Sequence, residues 1–147
     1  NRHRRYSSDL EWVALDAGCG SGTLALAWAR LGRGAVVAVD LDPRAVAQAR
    51  ESAWASGLDA GVTVRRGALG ALTAGAIDGR VVMANAPLPA QLDLLGVAGD
   101  PVPTALLLSG LRPDAMDEVT AAWLQRGLRE VRREGMGRWQ AAVLVTA

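Results

Sequence analysis

The sequence predicts a doubly wound α/β fold, a mostly parallel seven-stranded sheet closed by an antiparallel hairpin at the carboxyl end. Three observations carry that expectation. Short valine-rich apolar runs alternate with segments of helical spacing, the order that builds parallel strands joined by right-handed crossovers. A glycine cluster, Gly18, Gly20 and Gly22, follows the first run at once. The last helical segment leads into two runs joined by a glycine-rich turn, which adds a hairpin rather than another parallel strand.

Residues 12–16, Trp-Val-Ala-Leu-Asp, form the first expected strand, and the glycines after it make a loop. Residues 23–31 are strong helix formers, apolar on nearly all sides, and Gly32 with Gly34 stops them; a buried helix fits. The run 35–40, Ala-Val-Val-Ala-Val-Asp, is too apolar for a half-exposed strand and reads as a parallel strand covered on both faces. Asp42 then caps a helix with Pro43 in its first turn, where a missing amide hydrogen is harmless. Gly57 ends that helix, and Ala45, Val46, Ala49 and Ala53 line one face. Residues 62–65 and 80–84 are the third and fourth strands, and the prolines of 85–89, Asn-Ala-Pro-Leu-Pro, force that segment out of the sheet. Residues 104–109 make the fifth strand. Pro113 and Asp114 open a helix to about Arg126, with Met116, Val119, Ala122 and Trp123 at helical spacing and Gly127 at its close. The hairpin is expected as strands 128–133 and 139–146 around a Gly135-Met136-Gly137 turn.

The 147 residues fit a single domain, with residues 1–10 read as a linker or a truncated amino-terminal segment because the chain opens on Asn1 rather than methionine. Hydrophobic residues make up 50%, yet charges or glycines interrupt every apolar stretch before it reaches membrane-spanning length, so no membrane partner is expected. With 16 basic against 15 acidic residues the formal charge is +1, which gives no electrostatic ground for a nucleic-acid partner. Cys19 is the only cysteine and no secretory signal opens the chain, so no internal disulfide forms and the expected compartment is a reducing cytoplasm. The lone His3 reads as solvated.

The chemistry sits in 13–23, Val-Ala-Leu-Asp-Ala-Gly-Cys-Gly-Ser-Gly-Thr, a strand-to-helix loop whose glycines let a ligand approach bare backbone. A nicotinamide fingerprint wants glycine or alanine where Thr23 stands. Asp40 ends the next strand, where a carboxylate can accept hydrogen bonds from both hydroxyls of a ribose, and Leu41 can cover an adenine face. Taken singly, a Gly-x-Gly-x-Gly is common in turns and an acid after a strand is often a helix cap. In this order, each at a strand's carboxyl end, the two together favour a nucleoside ligand. For Cys19 a small side chain wedged into a glycine loop suffices, with no histidine placed to activate it.

At these residues the chain resembles the class I S-adenosylmethionine-dependent methyltransferases, and among them the bacterial enzymes that methylate a large-subunit ribosomal protein. The resemblance runs from Val13 to the carboxyl terminus. It covers Leu-Asp-Ala-Gly-Cys-Gly-Ser-Gly, Val-Asp-Leu-Asp-Pro at 39–43, Met-Ala-Asn at 83–85, Leu-Ser-Gly-Leu at 108–111 and Trp139 in the last strand. It implies a Rossmann-like fold and S-adenosylmethionine as cofactor, held by Asp16, Gly18, Cys19, Gly20 and Gly22 at its methionine part and by Asp40 at its ribose. Leu41 and the backbone at Ala68 would lie by the adenine, and Asn85 would edge the transfer site. There its side-chain oxygen would accept a hydrogen bond from an incoming amine and aim the nitrogen lone pair. Transfer from a sulfonium is an in-line displacement that calls for alignment and dryness, not for a metal or a covalent intermediate. Asparagine is also frequent wherever a chain leaves a strand, so Asn85 has an ordinary role open to it as a turn residue before Pro87.

The chain departs from that family in ways that bear on activity. Ala68 and Leu69 stand where relatives carry a polar adenine contact, and Ala86-Pro87-Leu88 lacks the aromatic that often accompanies the asparagine. The stretch 91–103 is shorter than the family's helix, and these 147 residues are not expected to contain the family's substrate domain or its cofactor-covering segment ahead of the first strand. Three readings follow: a methyltransferase acting on a protein amino group, with a ribosomal protein as partner; a degenerate cofactor-binding domain that serves assembly, as a homo-oligomer or beside an upstream domain; and a nucleic-acid amine methyltransferase, suggested by Asn85-Ala-Pro-Leu and opposed by the missing aromatic and neutral charge. Arg126, Arg129, Arg132, Arg133 and Arg138 read as a mixed surface interleaved with Glu130 and Glu134, or as a docking patch. The five tryptophans partly replace the absent phenylalanine in the core, with Trp28 or Trp54 as candidates for an interface.

Overall fold

The computed structural model describes residues 12–71, 77, 79–99 and 102–147. The expectations for residues 1–10 and for His3 lie outside them. The described chain runs β1 (Ala14–Ala17), α1 (Thr23–Arg30), β2 (Val36–Asp40), α2 (Pro43–Ala55), β3 (Val62–Arg66), a single 3₁₀ turn at Leu69–Ala71, β4 (Val81–Asn85), α3 (Leu88–Val97), β5 (Ala105–Leu111), α4 (Pro113–Leu124), β6 (Leu128–Met136) and β7 (Trp139–Thr146). The strands form one seven-stranded sheet in the order β3-β2-β1-β4-β5-β7-β6. β1 to β5 are mutually parallel, and β7 inserts antiparallel between β5 and β6. The chain leaves β1 toward β2 and β3, then returns to lay β4 on the other side of β1, a topological switch of the kind that opens a crevice at the strands' carboxyl ends.

Alternating side chains divide the core into two layers. Ala14, Val36, Ala38, Val62 and Val64 meet Ala25 of α1 and Val46, Ala49 and Ala53 of α2 on one face. Leu15, Val37, Val39, Val82, Leu106 and Leu108 meet Leu94 of α3 and Met116, Val119 and Trp123 of α4 on the other. This double burial is why β2 reads as an apolar run up to Asp40 and β1 as one interrupted only by Asp16. Trp123 is fully buried, as an aromatic standing in for phenylalanine should be, whereas Trp54 is 74% exposed. Among the described residues no helix is long and apolar enough to cross a membrane.

Three local expectations are corrected. The segment after Asn85 does leave the sheet, but it starts α3 directly: Pro87 is the N-cap and Pro89 lies in the first turn, positions that need no intrahelical amide. The fifth strand does not end at Ser109; β5 continues to Leu111 through a bulge at Gly110, whose φ is 79°. The hairpin is tighter than expected, since Met136 pairs with Trp139 and leaves Gly137 and Arg138 as a two-residue loop. Gly137 has φ 56° and Arg138 no positive φ, the type II′ pattern that matches strand twist.

Candidate active site

The glycine loop between β1 and α1 is shaped from the backbone outward. Gly18, Gly20 and Gly22 have φ of 72°, 54° and 85°, a region in which a Cβ is strained. A Cβ on Gly18 would come 3.3 Å from that of Ala86, and one on Gly22 3.1 Å from that of Ala49. Gly20 differs, with nothing within 4 Å of where its Cβ would stand, so bare backbone faces open space there. Three successive amides tie this loop to the end of β2: those of Gly18 and Cys19 donate to the Val39 carbonyl at 2.8 and 2.9 Å, and that of Gly20 donates to Asp40 Oδ2 at 2.8 Å.

Asp40 Oδ1 accepts the Asp42 amide at 2.9 Å. Each of the two oxygens therefore has one backbone donor and keeps a lone pair for another. Leu41, beside it, is 65% exposed. The Gly67 amide donates to the Asp40 carbonyl at 3.0 Å, which brings exposed Ala68 to the same edge. Arg66 Nε donates to the Leu41 carbonyl at 3.3 Å and fixes that turn from the β3 side.

Asp16 lies beneath the loop and is buried. Its Oδ2 accepts the amide of Ala25, the third residue of α1, at 3.0 Å. Gly22 has no side chain with which to cap α1, so a carboxylate from the preceding strand takes an orphan amide at the positive end of the helix. Burial pushes the Asp16 carboxyl up to about 6; the Ala25 amide opposes that rise and the Asp40 charge adds to it. The same causes, burial first and then the Asp16 and Asp40 charges, push the Cys19 thiol up to about 12. That thiol is 8% exposed and turned to the Gly20 carbonyl at 3.6 Å, so Cys19 belongs to the loop through its backbone.

Asn85 is exposed at the carboxyl end of β4, at the mouth of a cleft of about 760 Å³ whose lining includes Ala86, Ser109, Gly110, Met136 and Trp139. Ala86 also faces Gly18, so cleft and glycine loop share a wall. Two residues essential to this geometry escaped the sequence reading. Gly110 lets Asn85 lie where it does, because a Cβ on Gly110 would overlap the Asn85 side-chain oxygen. Gln91 is fully buried on α3, and its Nε2 donates to the carbonyls of Ala86 and Ser109, each at 2.8 Å, and more weakly to that of Ala84 at 3.5 Å. Once α3 is recognised, the spacing of Gln91, Leu94 and Val97 puts an amide on the helix's buried face, which is the signal available in sequence.

Residues 5–146 match a family model described as ribosomal protein L11 methyltransferase (PrmA). A curated protein of that name from Thiobacillus denitrificans is 42% identical over 115 residues, 74% of this chain and 36% of its own length. The one from Pelobacter propionicus is 39% identical over 140 residues, 89% of this chain and 42% of its own. The chain thus spans about two fifths of the length of these curated relatives. Among solved structures, a ribosomal protein L11 methylase from Lactobacillus delbrueckii subsp. bulgaricus superposes with TM-score 0.75 at 22% identity, covering 95% of this chain and 72% of that one. Magnesium protoporphyrin IX methyltransferase from Synechocystis PCC 6803 with bound SAM superposes with TM-score 0.69 at 17% identity, covering 92% and 70%. At those identities the likeness is one of fold.

Proposed function

The chain belongs to the ribosomal protein L11 methyltransferase family, and on that premise we propose that residues 1–147 form the S-adenosylmethionine-binding catalytic domain of a cytoplasmic N-methyltransferase whose acceptor is an amino group of a ribosomal protein. The observation that carries the choice of ligand is the Asp16 carboxylate on the Ala25 amide. A dinucleotide site leaves the first amides of this helix free for a pyrophosphate. Here one of them is taken by an anion, and a second carboxylate, Asp40, stands at the neighbouring strand end. Such a site repels a diphosphate and suits a cation.

The residues present fit the cofactor. The open side of Gly20 gives a ligand access to backbone that a Cβ would obstruct, the spare lone pairs of Asp40 suit a ribose, exposed Leu41 offers an apolar cover for adenine, and ionised Asp16 suits the cationic methionine end. When bound, S-adenosylmethionine supplies a methyl group on a positively charged sulfur. The chain's own part is to bind, align and exclude water. Asn85 meets the acceptor at the mouth of the cleft, accepting an N–H from the neutral amine so that the nitrogen lone pair is directed inward. The apolar Met136 and Trp139 provide walls for a methylene stem.

Titration calorimetry with S-adenosylmethionine and with NAD, on the chain and on Asp40→Ala, tests this. Binding of the first ligand alone, weakened at least tenfold by the substitution through loss of hydrogen bonds to a charged acceptor, is expected. Binding of NAD, or of neither, would defeat the assignment. Transfer of labelled methyl to ribosomal protein checks the acceptor.

A further inference from the structure

We propose that Gln91 is a positioning residue for the acceptor side of the site: its buried amide holds the ends of β4 and β5 at the separation that keeps the Asn85 side chain seated against Gly110. This deepens, and rests on, the role given to Asn85 above. The ladder between β4 and β5 ends at the pair Asn85↔Ser109. Just past it Pro87 cannot donate, and the bulge at Gly110 breaks regular pairing with β7. Backbone hydrogen bonds no longer set the gap where Asn85 needs it set. Gln91 Nε2 takes over, with one proton for the Ala86 carbonyl and one for that of Ser109, both at 2.8 Å.

The clamp spans the residues that flank the asparagine on its own strand and the residue before the glycine it rests on. Its amide orientation is fixed by chemistry, since three carbonyls surround the nitrogen and a reversed amide would set oxygen against oxygen. The other end of the same group is left without a partner: Gln91 Oε1 is buried and accepts no hydrogen bond. Burying an unmet acceptor costs stability, so packing alone gives no reason for a glutamine on this face of α3, where Leu94 and Val97 are apolar. The two carbonyls at the rim of the cleft do.

The test compares Gln91→Met, which keeps length and removes the donor, with Leu94→Ala, a cavity in the same helix that touches neither carbonyl. The first readout needs no activity: the Asn85 side-chain amide resonances in ¹⁵N–¹H spectra are expected to shift or broaden in Gln91→Met and to stay in place in Leu94→Ala. The second is kinetic, with kcat for methyl transfer falling roughly tenfold or more in Gln91→Met from misalignment while the affinity for S-adenosylmethionine by calorimetry stays unchanged. Unmoved Asn85 signals in Gln91→Met, or equal kcat in the two folded variants, would overturn the clamp. A wild-type chain that transfers no methyl would instead sink the functional reading, and the Asn85 signals would still decide whether Gln91 holds that side chain.

Discussion

A buried carboxylate works against the fold that holds it, and Asp16 makes the conflict measurable. Its carboxyl is raised from 3.8 to about 6 chiefly by burial, so the folded state binds the proton more tightly than the unfolded one. The stability this confers is complete below about pH 4 and is lost as pH rises to about 6, amounting to ~3 kcal/mol across that window. Asp16→Asn keeps an acceptor for the Ala25 amide and removes the charge. It is expected to abolish that pH dependence in urea unfolding, to be more stable at pH 7 by up to ~3 kcal/mol, and to bind S-adenosylmethionine more weakly. Cys19 provides a second check, because a thiol pushed up to about 12 should resist iodoacetamide at pH 8 in the native protein and react after denaturation. Gly110→Ala meets both a positive φ and the Asn85 oxygen. It is expected to cost about 1–3 kcal/mol in strain and to depress methyl transfer while leaving cofactor affinity intact, a split that calorimetry and single-turnover rates would resolve. The glycines of the loop and Asp40 were legible in sequence because their conformations are dictated locally. Gly110 and Gln91 were not, because each owes its role to a neighbouring strand that only the folded sheet brings near.

Elements follow the same division. Each of β1, β2, α2 and α4 is predicted from its own apolar pattern and cap, as with Asp42, whose side chain accepts the Arg44 amide at 2.8 Å. α3 was hidden by two prolines that signal a loop unless their place in a first turn is known. The carboxyl-terminal arginines show a further limit, since residues that read alike in sequence have different fates. Arg132 pairs with Glu134 on the surface. Arg126 donates through Nη2 to the Ala98 carbonyl at 2.8 Å and so joins α4 to the end of α3. Arg133 joins α4 to the hairpin: Nε and Nη2 grip Glu130 at 2.8 and 2.7 Å, Nη2 also reaches Thr120 Oγ1 at 2.9 Å, and Nη1 meets Asp117 and Gln140. Those acceptors hold its guanidinium firmly protonated. Arg133→Ala is expected to cost roughly 2 kcal/mol in chemical denaturation, and Arg133→Lys to recover little, because an ammonium cannot match a planar fork across so many acceptors.

At the scale of the whole molecule, strand–helix alternation sufficed to predict the sheet, because crossover handedness and double burial leave few topologies open to such a pattern. The switch between β1 and β4 then sets how ligand binding should be felt. The amides that tie the glycine loop to β2, the Asp16 contact with α1 and the Ala86 contact with Gly18 all meet at the carboxyl edge of the central strands. The pairing of β7 with β5 and β6 is antiparallel and lies at the far side of the sheet. A ligand held only by the native crevice stabilises the fold by mass action, by about 2.7 kcal/mol at a hundredfold excess over Kd, which for a chain of this size is a rise in Tm of roughly 5–10 °C. S-adenosylmethionine is expected to produce that rise and NAD none. Hydrogen exchange under the same conditions should show added protection concentrated at residues 16–25, 40–42 and 85–86, with the Leu128–Thr146 end of the β6–β7 pair, beside the amino-terminal end of β5, unchanged. Protection gained first at that Leu128–Thr146 end would place the ligand in a different part of the molecule from the crevice that β1, β2 and β4 create.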